Sequence, residues 1–142
     1  MNETPPRLVP ELEVSSLDDS LRFYVELAGF RILYGRPEEG FVFLDRDGVH
    51  LMLEEAEGPG RRFHKAVLER PFGRGVNFQI QVDDVDTLWE RMRDAAPITL
   101  PYEERWYRRE DEELGHHQFV VADPDGYLLR FFTSLGARAV AA

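Results

Sequence analysis

The sequence predicts an α+β chain built from two copies of a β-α-β-β-β module. Three observations carry that expectation: alternating strands that each run into a capped helix, hairpins that turn at Asp-Gly, and a spacing that repeats both features. Val14-Ser15-Ser16-Leu17-Asp18 aligns with Val82-Asp83-Asp84-Val85-Asp86 at an offset of 68, and Asp47-Gly48 aligns with Asp125-Gly126 at an offset of 78. The chain therefore divides into a first module (1–57), a linker (58–74), a second module (75–135) and a C-terminal tail (136–142), all within one structural domain.

The elements follow in order. "LVPELEV", Leu8 to Val14, sets Leu8, Pro10, Leu12 and Val14 against Val9, Glu11 and Glu13, a half-buried strand whose proline marks an edge or a start. "SSLDDSLRFYVELAGF" reads as a helix with serine caps, early aspartates and Gly29 as a stop, its apolar stripe being Leu17, Leu21, Tyr24 and Leu27–Ala28. "FVFLDRDGVHLMLEE" is a hairpin turning at Asp45-Arg46-Asp47-Gly48, where glycine supplies a positive φ. "EGPGRRFHKAVLERPFGRG" reads as a linker carrying one short helix.

The second module repeats the plan. "VNFQIQV" puts Val76, Phe78, Ile80 and Val82 on one face and Asn77, Gln79 and Gln81 on the other. "DDVDTLWERMRDAAP" is a helix capped by Asp84 and ended by Pro97, with Val85, Leu88, Trp89 and Met92 inward. "PYEERWYRREDEELGHH" reads as a long charged and aromatic loop, and "HQFVVADPDGYLLRFF" as a hairpin turning at Asp123-Pro124-Asp125-Gly126. "GARAVAA" reads as a frayed tail.

Composition narrows the function. At 43% hydrophobic residues the chain can bury a core. Its net charge of −10 repels phosphate backbones, which argues against nucleic acid. The absence of cysteine removes disulfides, thiolate nucleophiles and thiolate metal sites. No stretch approaches the roughly 18 apolar residues of a membrane helix and no secretory pattern is present, so the expected location is cytoplasmic.

A sheet face that no helix covers must be solvated, paired with another subunit, or shaped into a pocket. Pairing the first hairpin about its turn puts Val42, Leu44, Leu51 and Leu53 under the helix, leaving Phe41, Phe43, His50 and Met52 opposite. Pairing the second puts Val120, Tyr127, Leu129 and Phe131 under the helix, leaving His117, Phe119, Leu128, Arg130 and Phe132 opposite. With Val9, Glu11, Glu13, Asn77, Gln79 and Gln81 these outline a small-molecule site, roofed from the long loop by Trp106 and Tyr107. Any one of Phe41, Phe43, Met52 and Phe119 taken alone is more readily a second core layer. Arg130 calls for an anion, from Glu11, Glu13 or the loop.

"ELEVSSLDDSLRFYVELAGFRI", "VNFQIQVDDVDTL" and "VADPDGYLLRF" together resemble the vicinal oxygen chelate superfamily of glyoxalases, dioxygenases and bleomycin-resistance proteins. The resemblance implies paired βαβββ modules whose mixed sheets curve into a cup. In the metal-using members the ligands, His or Gln and Glu, sit on the first and last strands. The matching places here are Val9 and Met52, then Asn77 and Arg130.

Valine and arginine cannot bind a divalent cation, and methionine is too soft for one. The resemblance thus points to the metal-free, bleomycin-resistance-like branch: a homodimer that binds a small aromatic molecule and confers antibiotic resistance, with no cofactor. Its expected ligand contacts are Phe41, Phe43, His50, Met52, Asn77, Gln79, Tyr102, Trp106, His117, Phe119 and Arg130. Two other readings stand beside it. One is a metal-dependent lyase, isomerase or dioxygenase using His50, His117 and Glu11 or Glu13. The other is a ligand-free structural or regulatory dimer.

Overall fold

A computed structural model describes residues 4–141. The chain forms two compact units, Met1–Glu69 and Arg70–Ala142, each with its own four-stranded mixed sheet. The first runs β1 (Glu11–Val14), α1 (Leu17–Leu21), β2 (Arg31–Arg36), β3 (Phe41–Arg46) and β4 (Val49–Glu55), in sheet order β1-β4-β3-β2. The second runs β5 (Asn77–Gln81), α2 (Val85–Met92), β6 (Ile98–Arg109), β7 (Glu112–Ala122) and β8 (Leu128–Ala139), in order β5-β8-β7-β6. Both sheets repeat one βαβββ topology, and neither closes into a barrel. Among the described residues no helix is long and apolar enough to cross a membrane.

In the first unit β1 begins at Glu11, later than its alternation suggests, because Pro10 has no N–H for the ladder; its carbonyl instead accepts from the Met52 N–H (2.9 Å). Ser16 caps α1 by accepting from the Asp19 N–H (3.2 Å). The helix then widens into a π-helical segment, Arg22–Leu27, where the Ala28 N–H reaches back to the Phe23 carbonyl (2.9 Å). This extra residue per turn rotates the inward stripe. Ser20, Phe23, Tyr24 and Ala28 are buried, whereas Leu17, Leu21 and Leu27 are half-buried. Tyr24 meets Phe23 and Phe30 edge-on at 4.9 and 5.8 Å. Gly29, at φ +82°, lets the Phe30 N–H close the helix end on the Tyr24 carbonyl (2.9 Å). Leu12, Val14, Val42, Leu44, Leu51 and Leu53 complete this core.

The second unit corrects three expectations. The charged stretch 101–117 is no loop: β6 and β7 form a long hairpin turning at Glu110-Asp111, and Arg109 pairs with Glu112 across the turn. Alternating Tyr, Trp and charged side chains suit a strand that has one face wetted. The tail is strand as far as Ala139, because β8 pairs with β7 out to Glu112. The linker carries no helix, and its end packs instead under the Asp123-Gly126 turn. There the Phe72 N–H donates to the Asp125 carbonyl (2.8 Å), and Arg70 binds the Asp125 carboxylate (3.0 Å). A Cβ on Gly126 would come within 2.6 Å of Pro71, and the residue sits at φ +97°, so glycine is required twice over.

Asp123 holds this turn. It is 2% exposed, and one carboxylate oxygen accepts from the N–H groups of Asp125 and Tyr127, both at 2.9 Å. Replacing it leaves two amides without their acceptor. Asp123→Ala is expected to lower the unfolding free energy by about 2–3 kcal/mol, read as a drop in the urea midpoint at unchanged slope.

Candidate functional site

In the first unit the register places Tyr34, Phe43, Met52 and Glu11 in one row across the helix-free face. The next row is Arg36, Phe41, Glu54 and Glu13. Tyr34 stacks on Phe43 (5.1 Å between centroids, planes at 14°), and the Arg36 guanidinium lies 3.9 Å over Phe41. His50 binds Asp45 (3.1 Å), which also takes Arg31 (3.2 Å). Phe43, Met52, His50, Val9, Tyr34 and the Pro5-Pro6 segment line a cleft of about 710 Å³. Phe41, Phe43, His50 and Met52 therefore share the face expected of them.

Glu54 adds a strained charge to that face. It is 6% exposed, and its carboxyl is held above the ordinary carboxylate range, first by burial and then by Glu11, Glu39 and Glu13.

In the second unit the register overturns half of the expected face. Phe119 pairs with Phe131 and Val121 with Leu129, so Phe119 lies under α2, 5.2 Å from the Trp89 ring. His117 follows it to the helix side, beside Tyr102 (5.4 Å) and Glu104 (3.2 Å). Tyr102 donates to Asp86 of α2 (2.5 Å), and its hydroxyl is pushed up to about 12 by burial and then by that bond. Trp106 lies flat against Gly115 and under Arg138 (3.9 Å), with its Nε1 donating to Glu104 (2.9 Å). Tyr102, Trp106, His117 and Phe119 thus sit away from Arg130. The cause is the turn. Ala122 pairs with Leu128 across five residues rather than four, and one added residue inverts β7 relative to β8.

Arg130's neighbours are instead Gln79, on β5, and Gln118, His116 and Tyr107. Asn77 lies on the same face beside Leu128, and both Asn77 and Gln79 are exposed. Gln118 is 1% exposed; its amide N–H₂ donates to Glu103 (2.8 Å) and to the Tyr107 hydroxyl (2.6 Å). Arg130 Nη1 also reaches that hydroxyl (3.3 Å), and its Nε is buried without a partner. Among the described residues no carboxylate pairs with Arg130, contrary to the anion its burial called for. His116 stacks on Phe132 (4.0 Å, 19°), and burial, with the Arg130 charge and against the opposing pull of Gln118, holds it below the usual imidazole range. Correct parity at the Asp123 turn would have exposed His116 and Gln118 in the sequence.

The Glyoxalase/Bleomycin resistance protein/Dioxygenase superfamily profile matches residues 9–131. The chain belongs to that superfamily. Among solved structures it resembles a superfamily member from Vibrio splendidus 12B01, at 38% identity over 88% of this chain and 95% of that one, TM-score 0.40. TioX from Micromonospora sp. ML1 is 23% identical over 90% and 98% of the two chains, TM-score 0.68. A glyoxalase/bleomycin resistance protein/dioxygenase from Alicyclobacillus acidocaldarius is 20% identical over 94% and 96%, TM-score 0.61. No curated protein sequence matches the chain.

The metal implied by the glyoxalases and dioxygenases of this superfamily does not fit the residues present. Val9 is a hydrocarbon, Met52 a thioether, Asn77 a single amide and Arg130 a cation. Among the described residues no three His, Asp or Glu side chains gather to hold an ion. Each histidine of the substitute set has a carboxylate beside it within its own unit, His50 with Asp45 and His117 with Glu104.

Glu54 yields a pH test. A carboxyl whose pKa is raised on folding contributes stability that is complete below its unfolded value and is lost as pH rises through the raised one. Glu54→Gln is expected to melt above the parent at pH 7 and level with it near pH 4, as measured by calorimetry. A variant that melts lower at pH 7 would mean that the charged carboxylate stabilises the fold.

Proposed function

We propose that this superfamily member is a binding protein that holds a small aromatic molecule against its helix-free sheet faces and performs no metal chemistry there. The observation that carries the reading is Arg130. A half-buried guanidinium stands at the place where metal-using members of the resembled family keep an anionic ligand, and among the described residues no carboxylate pairs with it. Two positive charges about 4 Å apart repel by about 4 kcal/mol near a protein surface, so the site disfavours an ion and favours an electron-rich ligand group. The Tyr34–Phe43 stack beside the first unit's cleft supplies ring surface, and Met52 supplies adaptable apolar contact.

The ligand class that the family suggests is an aromatic antibiotic of the bleomycin kind, bound by a cytoplasmic homodimer and so conferring resistance. Titration calorimetry with bleomycin is expected to show heat at micromolar concentrations, and a flat titration removes that drug from the reading. Protein purified without chelators is expected to carry no stoichiometric Zn, Fe, Mn or Ni; a full equivalent of any of them restores the metal-dependent lyase, isomerase or dioxygenase. Light scattering is expected to give about twice the 16.5 kDa chain mass.

A further inference from the structure

The second unit's helix-free face holds a set of hydrogen-bond donors whose direction is chemically determined. Glu103 is a carboxylate and only accepts, so the Gln118 amide must turn its nitrogen towards it. That nitrogen's other hydrogen goes to the Tyr107 oxygen, which also receives Arg130 Nη1. The Tyr107 oxygen is thereby occupied as an acceptor, and its own hydrogen is left to donate. Gln118 Oε1 and His116 Nδ1, both buried and unpartnered, are acceptors on the same face. Arg130 Nε–H is buried and unpartnered too. A donor on a cation thus stands with nothing to receive it, a state that costs free energy until an acceptor arrives.

We propose that Arg130 and Tyr107 form the receptor for a carboxylate carried by a small apolar molecule, a claim that rests on the binding reading above and names the ligand's charged group. The planar guanidinium suits the two oxygens of a carboxylate. Glu103, held next to Gln118, opposes negative charge on a ligand, and so weighs more against a doubly charged phosphate or phosphonate than against a carboxylate. Phe132, Leu128 and Val120 share the face and offer apolar contact to the ligand's body. The acidic chain as a whole favours a cation, but the donors nearest the ligand are set for an anion.

The test uses the full chain at pH 7, with benzoate, benzamide and phenylphosphonate as probes followed by NMR of amide and arginine Nε resonances. Benzoate is expected to shift the Arg130 Nε and Gln118 side-chain signals saturably. Arg130→Gln is expected to weaken benzoate by about tenfold or more, and Tyr107→Phe by about threefold. Arg130→Lys, which keeps the charge and loses the fork, should fall between the parent and Arg130→Gln, and it guards against a glutamine variant that misfolds. Benzamide binding as well as benzoate overturns the anion assignment. Phenylphosphonate binding more tightly overturns the carboxylate, and no shift with any probe overturns the receptor altogether. If benzamide alone binds this face, the binding reading stands and only the charged group is wrong. A stoichiometric metal sinks the binding reading itself, whatever benzoate does.

Discussion

Asp123 closes a turn of five residues by taking two backbone amides on one buried oxygen, and the register between β7 and β8 follows from that closure. Side chains on a strand alternate, so the register decides which residues of β7 stand beside Arg130. Gln118 and His116 do; Phe119 and His117 turn to the helix. The neighbouring glycine and the linker's Pro71-Phe72 pack beneath the same turn, so the register is defended from outside the hairpin as well. A buried carboxylate thus determines the chemistry of a face of which it is not itself a part.

The two units share a topology but not an electrostatic character. On the first sheet the helix-free face gathers Glu11, Glu13 and a buried Glu54 beside aromatic rings. On the second, the corresponding face centres on a guanidinium that has no carboxylate partner among the described residues, and the pKa of His116 beside it is held low by burial. One architecture duplicated in the chain has been given opposite charges where a metal-using relative would converge on a single cation. The net charge of −10 describes the surface and says little about either face.

Much of this was legible in the sequence because it is local. Alternation in "VNFQIQV" gave the exposed Asn77 and Gln79, Ser16 and Asp84 marked the helix starts, and Asp45-Arg46-Asp47-Gly48 marked the first hairpin's turn, which the structure narrows to Asp47-Gly48. What was misread depended on contacts distant in sequence. Tyr102 and Trp106 read as loop residues because their stretch is charged, yet that charge is spent on cross-strand pairs such as Arg138–Glu113. The tail reads as frayed because it is small and weakly patterned, yet it is held by pairing to a strand some 25 residues away in sequence, as Glu113 and Arg138 show.

By itself the sequence determined the duplicated module, its helices and turns, since short-range periodicity suffices for these; that Val9, Met52, Asn77 and Arg130 stand at the metal-ligand places is what its resemblance to the superfamily implies. Only the tertiary structure decided that Tyr107 and Gln118, and not Trp106 and Phe119, accompany Arg130. The reason is physical: which way a side chain points along a strand is local, but which strands face each other at which residue is decided by hydrogen bonds between distant segments.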